Sequence, residues 1–297
     1  MTAEAWQPSS GGVQNVLLLA DGAKARVNEN IGAVGEFLSS KCTSVEVRSN
    51  LRDTKFDGSF QVEPRPDLVV VLGGDGSVLT ACRLFQKDPV PTIGINYGRV
   101  GFLASLEASA WREGLCDILE GRGCVEERMR LRASILKADG TRGPSAIALN
   151  DLVISRGSTP SMARFELLSA GRTVTQYRAD GLIFATPSGS TAYSLAAGGP
   201  ILDPSMRAVV LTPISAHALS HRPLVLGTKA YLEARVLSSA GTVRVDVDGQ
   251  LVAELEAGDS VRLEACEEAY PLLTTRSFDP WQRLRDRLGW AGHFDPE

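Results

Sequence analysis

The run Gly73-Gly74-Asp75-Gly76-Ser77 directly follows the apolar stretch Leu68 to Leu72 and passes into an apolar-periodic segment from Val78 to Phe85. A β-branched run that ends in glycines and continues with helical spacing reads as strand, tight turn, helix. Such a turn gathers backbone N–H groups and the positive end of a helix at one point, which is how proteins hold phosphate. A carboxylate inside it repels an anionic ligand unless it works as a base or through a metal ion. The plainer alternative is that Asp75 caps the helix, worth about 1 kcal/mol.

A second region is rich in glycine and hydroxyls. It runs from Tyr177 through Arg178, Asp180, Gly181, Thr186-Pro187-Ser188-Gly189-Ser190-Thr191-Ala192-Tyr193-Ser194 to Pro200. Leu182 to Phe184 lead into a turn, and Ser190-Thr191 are placed to cap a short helix through Ala197. Glycines and exposed hydroxyls cost stability, so the segment makes better sense as a surface moulded around a polar ligand. Asn150-Asp151 adds a carboxamide and a carboxylate between two apolar runs, where a strand prefers neither. A pair of turn residues is the plainer reading there.

Several other chemistries are excluded. No GxxxxGK[ST] occurs, so the turn is not a P-loop. The third glycine of GxGxxG is missing, which argues against a dehydrogenase fingerprint. His217, His221 and His293 fit no metal-ligand spacing.

The elements that must position these residues fall into two parts. Asn15–Ala20, Val45–Val47, Leu68–Leu72 and Thr92–Ile95 read as strands separated by helices, one with Ile31, Val34, Phe37 and Leu38 on one face and another from Ala110 to Leu119. Such alternation implies an α/β N-terminal domain, a parallel sheet with flanking helices, over residues 1–124. Ligands of such sheets sit beyond the carboxyl ends of the strands, where the glycine turn and the segment Asn96 to Leu103 both lie. From residue 125 to 270 strands follow one another with little helix, which implies an all-β C-terminal domain. Asp248-Gly249 is a hairpin signal within it. In the tail, 271–297, Trp281, Leu284 and Leu288 share a helical face expected to dock, while Arg283, Arg285 and Arg287 point elsewhere and read as solvated.

With 43% apolar and 22% charged residues, the 297-residue chain has the composition of a globular protein. Its net charge of −4 favours neither nucleic acid nor an anionic membrane as partner. The first residues lack a basic start and an apolar core, and no apolar run approaches the roughly 18 residues that span a bilayer. Five scattered cysteines without CxxC spacing are expected to be reduced thiols of a cytoplasmic protein.

Taken together these segments resemble the NAD kinases, which phosphorylate the 2′-hydroxyl of the adenosine ribose of NAD. The resemblance spans about residues 68 to 250 and rests on separate segments in the family's order. These are Gly73–Gly76, Asn96 to Leu103, Asn150-Asp151, Asp180 to Pro200, Thr212-Pro213 with His217, and Asp248-Gly249-Gln250. The glycine turn alone is weak, since lipid kinases and phosphofructokinases carry relatives of it; joined to the others it is strong. The resemblance implies that Asp75 is the general base beside Gly74 and Gly76, and that ATP or polyphosphate rests on the turn with Mg²⁺ offsetting its charge. It further implies that Phe102, Asn150, Asp151, Arg178, Asp180, Thr191, Ala192, Tyr193, Ser194 and Gln250 contact NAD, that the C-terminal tail, 271–297, packs back on the N-terminal domain, and that the assembly is a homodimer or homotetramer. The metal's ligands stay unassigned. Ser77, Ser188, Asp151, Ala196 and Ala216 depart from the commonest family residues, which bears on affinity and on NAD versus NADH. A non-catalytic NAD or NADP sensor, or a lipid or sugar kinase built on the same turn, are the alternatives.

Overall fold

The computed structural model describes residues 4–8, 11–49, 60–98, 101–157, 161–218 and 221–290. The chain divides into two compact units, Met1–Glu127 with Tyr270–Glu297, and Arg128–Ala269.

The first unit is built on an eight-stranded sheet. Its centre is parallel: Asn15–Ala20 lies between Ser44–Arg48 and Leu68–Gly73, and Thr92–Asn96 pairs with Leu68–Gly73 on its other side. Leu17, Leu18, Leu19 and Leu68 to Leu72 have no exposed surface, as expected of strands covered by helices on both faces. One face is covered by Ala25–Ser39 and Trp111–Leu119, which meet through an edge-to-face pair of Phe37 and Trp111 at 5.5 Å, and the helix Asp75–Leu84 packs on the strands Leu68–Gly73 and Thr92–Asn96. The helical face buries Val27, Val34, Phe37 and Leu38, with Ile31 only partly covered. The sheet is mixed rather than purely parallel, because Glu4–Ala5 pairs antiparallel with Cys124–Arg128 at one edge. The strand Tyr270–Thr274 enters this sheet from the far end of the sequence, running parallel to Thr92–Asn96. The Tyr270 hydroxyl meets Thr92 Oγ1 at 2.9 Å inside the core.

The second unit consists of two six-stranded sheets whose paired strands are antiparallel. One contains Leu224–Gly227, Ala208–Ile214, Gly181–Ala185, Asp151–Arg156, Val243–Val247 and Gln250–Leu255. The other contains Arg172–Ala179, Ala163–Ser169, Leu232–Ser238, Ser260–Ala265, Leu131–Leu136 and Arg142–Ala148. Alternating side chains from both sheets, such as Val243, Val245 and Val247 from one and Leu131, Ala133 and Ile135 from the other, share a single apolar core. Asp248 and Gly249 both take positive φ, at 46° and 74°, so the Asp-Gly pair forms the tight hairpin its sequence predicts.

Candidate active site

The glycine turn is shaped by steric exclusion. The strand Leu68–Gly73 ends at Gly73, where any side chain would collide with the Ser77 hydroxyl. Gly74, extended at φ −143° and ψ −168°, opens the helix Asp75–Leu84. The amides of Asp75 and Gly76, the first two of that helix, meet no acceptor among the described residues, while those of Ser77 and Val78 return to the Gly74 carbonyl. Two free amides and the helix dipole therefore converge where Gly76 is exposed to solvent.

Asp75 does not cap its helix. Its carboxylate turns to the segment after Asn96 and accepts three backbone N–H groups: Phe102 at 2.7 Å on Oδ2, and Leu103 at 3.0 Å and Ala104 at 3.2 Å on Oδ1. A methyl group on Gly101 would overlap that carboxylate, so glycine is what lets the loop approach. The carbonyls of the same loop are held from the other side. Arg283 donates to Gly101 O at 3.1 Å, to Ala104 O, and to Ser105 O at 2.9 Å. Burial pulls its guanidinium below its ordinary pKa, with Asp75 the foremost charge acting the other way. This corrects the expectation for the tail. In the helix Pro280–Leu288 the side chains of Leu284 and Leu288 are half-buried and Arg285 and Arg287 are exposed, but Trp281 is 52% exposed, and the hydrogen-bonded inward contact is Arg283, read from the sequence as solvated. Arg99 and Val100, within the Asn96 to Leu103 segment, lie outside the described residues.

Lys24, just before the helix Ala25–Ser39, reaches the same place. Its Nζ lies 3.2 Å from where a Gly74 Cβ would sit and 3.5 Å from the corresponding point at Gly98. It makes no ion pair among the described residues.

In the second unit Asp248 organises the Asn150-Asp151 corner much as Asp75 organises its loop. Its carboxylate accepts the amides of Leu149 at 2.9 Å, Asn150 at 2.8 Å and Asp151 at 3.1 Å. Asp151 is buried beside it. Desolvation first, then the Asp248 charge, raise the Asp151 pKa to about 7, against the lowering effect of the Tyr193 N–H. The Asn150 carboxamide oxygen is buried without a donor among the described residues. The Asn150 carbonyl accepts Thr186 N at 2.8 Å, and a side chain at Gly189 would strike that carbonyl, so the hydroxyl-rich segment packs backbone to backbone against the corner.

The hydroxyls of that segment mostly face inward, contrary to the expectation of an exposed set. Ser190 donates to Pro187 O at 2.7 Å and accepts Leu202 N at 3.0 Å, and Thr191 donates to Ser188 O at 3.1 Å. Neither caps the turn of helix at Tyr193–Ala196. Ser194 Oγ is buried against Thr212 Oγ1 at 2.8 Å. What the segment presents outward is Tyr193, 47% exposed, beside a half-buried Ala192. Asp180 is paired with Arg156 at 2.6 Å. Arg178 and Gln250 are exposed, the one on the strand Arg172–Ala179 and the other at the start of Gln250–Leu255. Arg156, Lys24 and Arg283 carry no motif; Arg283 meets its partners across 178 to 182 residues of sequence, so only the fold reveals it. Among the described residues no three His, Cys, Asp or Glu side chains gather to hold a metal.

A mixed α/β unit with a glycine–carboxylate turn, joined in sequence to a β unit with a polar corner, defines a phosphotransferase of the glycine-turn kinase class. The sequence matches the ATP-NAD kinase N-terminal domain over residues 17–123 and the ATP-NAD kinase C-terminal domain over residues 149–275. The chain belongs to the NAD kinase family and is an NAD kinase. An NAD kinase of Heliobacterium modesticaldum is 43% identical over 75% of this chain and 78% of its own length. One from Nitrosospira multiformis is 35% identical over 95% of this chain and 98% of its own. Among solved structures, yeast NADH kinase complexed with NADH superposes with a TM-score of 0.85 at 22% identity, covering 100% of this chain and 96% of that one. An NAD kinase from Archaeoglobus fulgidus in complex with ATP gives 0.71 at 24%, covering 93% and 98%. At these identities the likeness is one of fold.

Proposed function

We propose that this NAD kinase transfers the terminal phosphoryl group of ATP to the 2′-hydroxyl of the adenosine ribose of NAD, with Asp75 as general base. The observation that carries the reading is the Asp75 carboxylate beside two unpartnered amides. A carboxylate offers about four lone-pair sites, and three are taken by Phe102, Leu103 and Ala104. The remaining site, on Oδ2, suits a hydroxyl proton. The 2′-oxygen attacks the terminal phosphorus, its proton passes to Asp75, and ADP leaves with the electrons of the broken P–O bond. The free amides of Asp75 and Gly76 stabilise the charge spread over the transferred oxygens.

Mg²⁺ fits this chain as an ion carried by the donor. It takes oxygen ligands, keeps water, and is held by one or two carboxylates together with substrate phosphates. With the oxygens of Asp75 taken by the loop amides and the acceptor proton, Asp21, whose Cβ lies 3.6 Å from the Cβ position of Gly73, is the second carboxylate at the turn that would face the ion. Bound there, the ion would neutralise phosphate charge.

In the second unit NAD is taken by Asn150, Asp151, Asp180, Arg178, Gln250 and the Thr191–Ser194 stretch; Phe102, in the first unit, is assigned to NAD on the family resemblance alone. Tyr193 supplies an exposed ring for stacking, whereas Ser194, its hydroxyl engaged by Thr212, acts through its backbone. The enzyme works as a cytoplasmic homodimer or homotetramer, a reading supported by the family resemblance; no helix among the described residues is long and apolar enough to cross a membrane. The test is incubation with NAD, ATP and Mg²⁺, reading NADP with an NADP-specific dehydrogenase, and the same assay on Asp75→Asn. Loss of a base lowers kcat by about 10²–10⁴-fold. An Asp75→Asn enzyme that binds NADP and turns over at the wild-type rate overturns the base assignment.

A further inference from the structure

We infer that Lys24 is a ligand of the phosphoryl donor, the cation that meets its terminal phosphates over the glycine turn; the inference rests on the donor reading above. The carboxyl ends of three neighbouring parallel strands meet here: Asn15–Ala20, followed by Lys24, then Leu68–Gly73 with the glycine turn, then Thr92–Asn96 with Gly98. Nζ lies beside both glycines, at 3.2 Å from the Cβ position of Gly74 and 3.5 Å from that of Gly98. Glycine at both positions keeps that space open.

The charges explain why a ligand is needed. Lys24 is half-buried, its ammonium is held over the turn, and it has no carboxylate partner among the described residues. Asp75, the acid nearest in sequence to the turn, spends its oxygens on the amides of Phe102, Leu103 and Ala104. The amides of Asp75 and Gly76 are unpartnered too. One ammonium and two N–H donors with a helix N-terminus behind them form a donor set that only a multiply charged oxyanion satisfies at once. The ligand class is a polyphosphate chain: the β- and γ-phosphates of a nucleoside triphosphate, or inorganic polyphosphate. Lysine suits the task as a compact point charge on a flexible stem that can follow the phosphate as it transfers.

The test compares Lys24→Met and Lys24→Arg with wild type. Losing a charge-assisted hydrogen bond raises the KM for ATP about 10- to 100-fold in Lys24→Met. The KM for NAD stays within about twofold, because no NAD contact is assigned to Lys24, and Lys24→Arg recovers most of the loss. In parallel, calorimetry with inorganic tripolyphosphate, which needs no turnover, reads weaker binding to Lys24→Met by a similar factor. Thermal melting checks that both variants are folded. A folded Lys24→Met protein with unchanged ATP KM and unchanged tripolyphosphate affinity overturns the inference while leaving the kinase reading intact. Wild-type protein that makes no NADP from ATP overturns the donor reading instead, and the tripolyphosphate comparison still decides Lys24.

Discussion

Asp75 Oδ2 accepts the backbone N–H of Phe102 at 2.7 Å, so the proposed base and the proposed pocket wall are one hydrogen-bonded unit. The orientation of the carboxylate is set by the loop, and that of the loop by the carboxylate. Asp75→Asn therefore does more than remove a base. One amide group would face the Phe102 N–H or the Leu103 and Ala104 pair, donor against donor. The melting temperature falls together with kcat, by several degrees for the roughly 1–3 kcal/mol of an unsatisfied group.

Gly101→Ala separates positioning from chemistry, since every polar group of Asp75 is kept. The added methyl overlaps the carboxylate and pushes it from the loop amides. Misplacement of a reacting group by about 1 Å costs on the order of 10²-fold in rate. We expect kcat to fall by that order with the KM for ATP little changed. Wild-type kcat in a folded Gly101→Ala enzyme would show that Asp75's orientation does not matter.

Arg283 holds the opposite side of the same loop, at the carbonyls of Gly101, Ala104 and Ser105. Arg283→Met leaves these largely buried acceptors without their donor, a loss of about 1–3 kcal/mol. The sharper readout is local. Hydrogen exchange at the Phe102, Leu103 and Ala104 amides accelerates in the variant, whereas exchange in the central strands Asn15–Ala20 and Leu68–Gly73 does not. Equal protection of the loop in both proteins contradicts a clamp.

These three residues also mark how far the sequence could be read. Strands such as Leu68–Gly73 and Val243–Val247 were legible because apolar runs and alternation report burial directly. The glycine turn and Asn150-Asp151 were legible as chemistry because they combine residue types a plain turn or strand disfavours. What Asp75 touches was not, since its partners are backbone amides about 28 residues away with no side-chain signature. The helix Pro280–Leu288 misled for a related reason: periodicity says which side chains share a face, not which face meets the protein. The strand Tyr270–Thr274 is short, and its place in the first sheet depends on pairing across the whole chain. Hydroxyls in the Thr186–Ser194 segment read as ligand groups because composition does not distinguish a ligand contact from an internal one.

Asp151 makes stability depend on pH. Its folded pKa, about 7, lies above its ordinary value of 3.8, so the native state binds the extra proton between those limits. Its contribution is fully present below about pH 4 and is lost as pH rises through about 7. Asp151→Asn removes the titration. Denaturant unfolding should show wild type losing stability from pH 5 to pH 8, by an amount of the order of a few kcal/mol, with a flatter profile in Asp151→Asn. Parallel profiles for the two proteins mean that Asp151 titrates normally.

Ser194 and Thr212 form a buried hydroxyl pair, 2.8 Å apart, in a segment otherwise assigned to NAD. If the Ser194 hydroxyl served NAD directly, Ser194→Ala would raise the KM for NAD and leave stability alone. The inward geometry demands the reverse. Ser194→Ala strands the Thr212 hydroxyl where neither residue has exposed surface, at about 1–3 kcal/mol, while the KM for NAD changes less than about threefold. Thr212→Val, which keeps the shape, removes the second hydroxyl. The double variant Ser194→Ala with Thr212→Val then leaves no orphan and is more stable than the sum of the single losses implies, a coupling that a double-mutant cycle measures directly. Strict additivity, with a large rise in the NAD KM for Ser194→Ala, would assign the hydroxyl to the ligand instead.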